Sequence, residues 1–435
     1  MIHANMLTET LAALRLGEVD LQEYILKVCE RIERNEGQLR ALEPEEGRRE
    51  RLLGEADALQ KRFPSLQQRP PLYGVLVGVK DIFHAEGLVT RGGTALPSEL
   101  FVGREAACVA ALCRAGALVL GKTVTTEFAY MASGPTCNPH NTGHTPGGSS
   151  SGSAAAVAAG YCPVALGSQT VGSVVRPAAF CGIVGLKPSF DRIATEGILY
   201  FSRSVDTVGL FTQDVAGMRA VAGVVCGEWG QGVEPDRPVL GVPEGPYLVQ
   251  ASEEALDALE RQVKQLEATG FAVRRVPLLE DIEDINKRHR QLIAAEFAQV
   301  HEKWFADYGK LYRPVTAEII REGQQVATEA LERGRAGRAA LRREMEGQME
   351  ARGVHVWICP AATGTAPEGL EYTGDPCMNL PWTHAGLPAL TLPAGKGENG
   401  LPLGLQCCAA FGRDEELLAW GEMLQGGLQG KEESR

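Results

Sequence analysis

No run of about 18 uninterrupted apolar residues occurs in the chain, so no membrane-spanning helix is expected. The opening MIHANMLTETLAAL lacks both a positively charged start and a sustained apolar stretch, and no secretory leader is read there. No stripe of lysine and arginine offsets the formal net charge of −12. A nucleic-acid partner would need such a stripe to neutralise phosphates, and none is expected. C-x-x-C spacing is also missing among the eleven cysteines. Their odd number in a long chain points to reduced, mostly buried thiols, and adjacent Cys407 and Cys408 cannot readily bridge each other. A cytoplasmic, membrane-free protein without internal repeats is the expectation.

What is present suffices for a large core: 44% of the 435 residues are hydrophobic. Between residues 5 and 62, Leu7, Leu11, Leu14, Leu21, Ile25 and Val28 recur at helical steps. After Pro70-Pro71, the run Tyr73 to Val79 has β character and delivers Lys80 at its end. An Ala-rich helix over 104–116 and a strand at Leu118 to Leu120 follow, the latter ending in a Gly121-Lys122 turn. Helix, strand and turn then alternate to Val208, the pattern of an α/β sheet covered by helices. Composition shifts near Gly227. Beyond it come a strand at Val239 to Val242, a Ser252-capped helix, a strand at Phe271 to Val276, and a charged helical segment over 281–350. Val354 to Cys359 and Gly404 to Ala410 read as strands, and Asp414 to Leu424 as a closing helix. The expected organisation is an N-terminal helical segment (1–65), a core (66–230), a variable helical segment (231–350), a C-terminal part of the core sheet (351–425) and a tail (426–435).

The stretch from Thr145 to Ser189 organises the rest. Gly147 and Gly148 permit a turn that other residues resist, and Ser149, Ser150, Ser151 and Ser153 place hydroxyls on it. Ala154 to Ala159 reads as a helix of small residues that another backbone can approach closely. A second turn, Gly167 to Ser173, sets the backbone N–H groups of Thr170, Val171, Gly172 and Ser173 where several could face one oxyanion. Three other readings compete. A phosphate loop lacks its Lys-Ser/Thr pair. Gly148-Ser149-Ser150-Ser151-Gly152 matches the G-x-S-x-G elbow, with Ser150 as nucleophile, but turn residues and not a strand precede it. A purely structural Gly/Ser loop accounts for the glycines but not for the hydroxyls or for an apolar strand ending in lysine. His140 and His144 are four apart on a loop with no further ligand at metal spacing, so neither metal nor organic cofactor is expected.

GVLVGVKD (74–81), GKTVTTE (121–127), Asn138-Pro139, the central stretch and NLPWTHAGLPALTLPAG (379–395) together resemble the amidase signature family. The resemblance implies a central mixed, twisted sheet covered by helices on both faces, with 281–350 as a cap. It also implies hydrolysis of a carbon–nitrogen bond through an acyl-enzyme, with Ser173 as nucleophile, Ser149 as the bridging serine on a cis peptide, and Lys80 as base. The family's Asp-Thr-Gly-Gly-Ser-x-Arg stands here as Gln169-Thr170-Val171-Gly172-Ser173-Val174-Val175-Arg176. The Ser-x-x-Arg spacing is similar to that of malonamidase-type members, where the arginine holds a substrate carboxylate. The alternative is a structural Arg176 tied to a carboxylate such as Asp206. The implied substrate is a small amide or carbamate. The alternatives are urethane or ureido hydrolysis, a silent scaffold, and the A-type component of an amidotransferase; a homodimer is left open.

Overall fold

A computed structural model describes residues 1–230, 232 and 234–429. Ten strands form one mixed sheet: β1 (Leu76–Lys80), β2 (Leu118–Thr123), β3 (Val164–Gln169), β4 (Val184–Lys187), β5 (Thr207–Thr212), β6 (Val239–Glu244), β7 (Ala272–Pro277), β8 (Val356–Pro360), β9 (Ala389–Lys396) and β10 (Pro402–Cys408). Their order across the sheet is β2-β1-β3-β5-β4-β9-β10-β8-β6-β7. β1 runs parallel to both β2 and β3, the centre is antiparallel, and β8, β6 and β7 are parallel again. The expected mixed sheet with helices on both faces is present.

Strand alternation explains the two-sided core. Val77 and Val79 of β1 enter one apolar layer and Leu76 the other; on β8, Val356 and Ile358 part from Trp357 and Cys359 in the same way. The N-terminal helices α1 (Leu7–Leu16), α2 (Leu21–Leu39) and α3 (Arg48–Arg62) present Leu7, Ile25, Val28 and Leu52 to these layers. Helix α4 (Ala107–Arg114) lies against the same layer as α7 (Val215–Val225), α8 (Glu253–Ala268) and α13 (Asp414–Gln429). On the opposite face sit α5 (Ser151–Ala158) and α6 (Val175–Cys181). The expected close approach at α5 is real: a Cβ on Gly152 would stand 2.2 Å from the Ala41 carbonyl oxygen and 2.4 Å from Val124 N.

Three helices, α9 (Ile282–Tyr308), α10 (Pro314–Gln324) and α11 (Thr328–Arg352), occupy the segment between β7 and β8. Aromatic residues of this segment pack against the core. Phe297 stacks on Phe201 with ring centres 4.2 Å apart, and Tyr312 lies 5.5 Å from Phe128. A short helix α12 (Leu380–Ala385) precedes β9, and its last carbonyls accept from α11: Arg338 Nε donates to His384 O and Arg342 Nε to Ala385 O.

Several boundaries differ from expectation. Gly121-Lys122 is not a turn: β2 continues to Thr123 through a one-residue register shift against β1. Residues 167–169 belong to β3, so the second turn begins only at Thr170. Helix α13 runs on to Gln429, through part of the expected tail; residues 430–435 of that tail lie outside the described residues. All eleven cysteines are unpaired, nine of them buried. Among the described residues no helix is long and apolar enough to cross a membrane.

Candidate active site

Lys80 ends β1 on the α5 side of the sheet, wholly buried. Its Nζ donates to Ser149 Oγ at 2.7 Å and to Ser168 Oγ at 2.8 Å. Burial pushes the amine down to about 7, opposed in part by the negative Asp206. Such a lysine is substantially neutral near physiological pH and able to take a proton. Its neighbour Asp81 does different work, pairing with buried Lys122 at 2.8 Å.

Ser149 follows a cis peptide bond between Gly148 and Ser149. The Ser149 carbonyl accepts from Thr126 N at 3.2 Å and from Thr125 Oγ1 at 3.3 Å, which anchors it to the segment after β2. Ser150, one residue on, faces elsewhere: its hydroxyl donates to Ser168 O and accepts from Ser168 N, at 3.4 and 3.3 Å, with the side chain fully buried. That removes the elbow reading.

Ser173 sits in the turn between β3 and α6, 8% exposed. Its hydroxyl makes no hydrogen bond among the described residues, whereas Lys80 is joined directly to Ser149. The turn is held from both ends. Gln169 Oε1 accepts from Val174 N at 2.8 Å and Val175 N at 3.0 Å, while Gln169 Nε2 donates to Thr383 Oγ1 at 2.9 Å. Arg176 N donates to the Gly172 carbonyl at 3.0 Å. Among the described residues the N–H groups of Val171, Gly172 and Ser173 have no acceptor. Gly172 is required by space, since a Cβ there would meet Asn379 Oδ1 at 2.3 Å.

Asp206 lies beneath the same turn, accepting from Thr170 Oγ1 at 2.6 Å, Phe201 N at 2.7 Å and Ser202 N at 3.0 Å. Burial pushes its carboxyl up to about 6. It does not pair with Arg176, contrary to one expectation above. The Arg176 guanidinium, also buried, donates from Nη1 to Gly374 O at 2.8 Å and from Nη2 to Gly148 O at 2.7 Å and Thr373 Oγ1 at 3.3 Å. It ties the turn before Ser149 to the 373–374 loop. His140 and His144 direct ring nitrogens at the carbonyls of Cys181 and Ala366, both at 2.9 Å.

Comparisons with known proteins identify the family. The family model described as Amidase matches residues 23–418. The chain belongs to the amidase signature family. It is similar to the A-type component of the glutamyl-tRNA(Gln) amidotransferase of Synechococcus sp. (strain RCC307), 31% identical across 93% of this chain and 94% of the relative. A solved amidase superposes with a TM-score of 0.89 at 32% identity, over 98% of this chain and all of the other. The native peptide amidase of Stenotrophomonas maltophilia superposes with a TM-score of 0.81 at 25% identity, over 98% and 97%.

Sequence reasoning missed three participants. Ser168, the second acceptor of the Lys80 amine, reads in the sequence as part of a turn. In the fold, β1 and β3 pair with Val79 opposite Leu166, which carries Ser168 past the end of Lys80's strand. His289 and Thr383 hold carbonyls of the turn that carries Ser173 from α9 and α12. Only Thr383 carried a signal, its place in the 379–395 motif.

A cavity of about 660 Å³ opens beside the turn, lined by Val171, Tyr130, Met131, Ile293, Pro314, Tyr372 and Leu380, with Arg290, Arg313, Glu371 and Asp375 among its polar residues. Arg290 is already paired with Glu322 at 2.6 Å.

Proposed function

We propose that this amidase-family chain hydrolyses the carbon–nitrogen bond of a small amide through an acyl-enzyme, and the buried Lys80 amine on Ser149 Oγ is the observation that carries the reading. Serine is a weak nucleophile that must lose its proton as it attacks. Neutral Lys80 draws the Ser149 proton, Ser149 draws that of Ser173, and Ser173 Oγ bonds to the substrate carbonyl carbon. The unpaired N–H groups of the 170–173 turn receive the oxygen as it turns anionic, each donor contributing about 3 kcal/mol in comparable sites. The proton returns through Ser149 to the departing nitrogen, and water then releases the acyl group by the same relay.

The cavity beside Val171 favours an uncharged amide with an apolar or aromatic part over a small carboxylated amide, because Arg176 already directs both Nη atoms at backbone carbonyls. Arylamides and carbamates share the acylation chemistry and fit the same space. A second reading, transfer of ammonia within an amidotransferase assembly, rests on the 31% identity to a component of the glutamyl-tRNA(Gln) enzyme. A panel of chromogenic anilide, carbamate, primary amide and carboxylated amide substrates tests the proposal. Turnover of the isolated chain on anilide or carbamate, lost in Ser173→Ala, is the expected result. Activity that appears only when partner proteins are added favours the second reading, and none under either condition leaves a silent scaffold.

A further inference from the structure

The two carbonyls at the start of the nucleophile turn accept from a buried chain of donors, one of which, His289, also lines the cavity beside Val171. His289 on α9 stands 3.1 Å from the Thr170 carbonyl through Nε2, and its Nδ1 stands 3.1 Å from Nδ1 of His384 on α12. A carbonyl can only accept, so His289 Nε2 carries the hydrogen. In a neutral ring its Nδ1 must then accept, which makes His384 Nδ1 the donor. Burial keeps both rings neutral, lowering His289 to about 3 and His384 to about 2, the latter lowered further by its neighbours His289, Arg288 and Arg338. Next along the turn, Thr383 Oγ1 donates to the Val171 carbonyl at 2.7 Å and itself accepts from Gln169 Nε2. All four side chains are buried.

Each of these carbonyls shares a peptide unit with an N–H on its opposite side: Thr170 C=O with Val171 N–H, and Val171 C=O with Gly172 N–H. A donor on the carbonyl fixes the plane of the unit and, by drawing electrons toward oxygen, makes the N–H across it a stronger donor. We propose that His289 and Thr383 are positioning residues for the reaction, aiming and polarising the Val171 and Gly172 N–H groups toward the oxyanion that forms above Ser173. The inference rests on the hydrolase reading above. It extends the machinery to α9, in the helical segment between β7 and β8, and to α12, and it gives His384 the task of fixing the His289 tautomer.

The test uses the full-length protein and an anilide that the wild type turns over, with a trifluoromethyl ketone of the same acyl group as a tetrahedral oxyanion mimic. His289→Leu and Thr383→Val should each lower kcat by about 10- to 100-fold with KM within about twofold, less than the loss of a whole oxyanion donor. Affinity for the ketone should fall by the same factor as kcat/KM, as expected for a group felt only in the transition state. His289→Gln, whose amide nitrogen reaches the Nε2 position, and Thr383→Ser should recover most of the loss. Should His289→Leu fail to fold, Thr383→Val and the two conservative variants decide alone. Full kcat in Thr383→Val, or lowered kcat with ketone affinity unchanged, overturns the proposal. Equal hydrolysis by wild type and Ser173→Ala would instead overturn the hydrolase reading and this inference with it.

Discussion

At the scale of single residues, the proposed chemistry rests on the free energy of a buried lysine. With the folded-state value near 7 and an ordinary lysine near 10.4, the unfolded chain holds a proton between those limits that the folded chain has given up. Folding stability therefore rises with pH across that window, by up to about 1.4 kcal/mol per unit from this group, and the full penalty applies below about pH 7. Lys80→Met removes the penalty. Its melting temperature should exceed wild type most at pH 6 and converge toward it by pH 10; a difference constant with pH would show that Lys80 is not destabilised by burial. Activity follows the same group in the same direction, rising as the amine loses its proton near pH 7. A limb near pH 10 would place the base in water. Ser150 makes a contrasting case. Ser150→Ala should keep most of kcat while losing about 1–2 kcal/mol in urea unfolding, because two bonds to the β3 backbone go with it; a dead but stable Ser150→Ala would restore the elbow.

At the scale of elements, Arg176 decides how two loops meet. Its Nη atoms join the Gly148 carbonyl to the Gly374 carbonyl and Thr373, so its loss leaves buried carbonyls without donors and loosens the turn that carries Ser149. Arg176→Ala should lower kcat/KM alike on carboxylated and uncharged amides and lower the urea midpoint by an amount equivalent to about 2–4 kcal/mol. Loss confined to the carboxylated substrate, at unchanged stability, would assign the guanidinium to substrate instead. Elements also divide what the sequence reveals from what it hides. Glycine turns, the alanine-rich α5 and the apolar run into Lys80 are local signals, and they marked Lys80, Ser149 and the turn carrying Ser173 as candidates. Gln169 in place of the family's aspartate was visible, but its purpose was not: only the fold brings its amide to Thr383, more than two hundred positions away. His289 read as one histidine in a charged helix, since nothing in its neighbourhood of sequence marks contact with Thr170.

At the scale of the whole molecule, the sheet order places β1 beside β3, and that neighbourhood brings Ser168 as well as Ser149 onto the Lys80 amine, with Ser173 in the turn that follows β3. Strand β9 lies on the far side of β5 and β4 from β3, and it supports the site through α6, which packs on it, and through α12, which runs directly into it. Eleven unpaired thiols mean that this architecture does not depend on covalent cross-links. The melting temperature should be the same with and without a millimolar reductant; a fall on reduction would reveal a bridge that the structure does not contain. The proposed roles of Ser173 as nucleophile and Lys80 as base can be read by peptide mapping with mass spectrometry after reaction with a fluorophosphonate, which phosphonylates the attacking serine and expels fluoride. The adduct should fall on Ser173 alone, vanish in Ser173→Ala, and form far more slowly in Lys80→Ala. An adduct on Ser150, or labelling of Ser173 at an unchanged rate in Lys80→Ala, would refute the assignment of nucleophile and base.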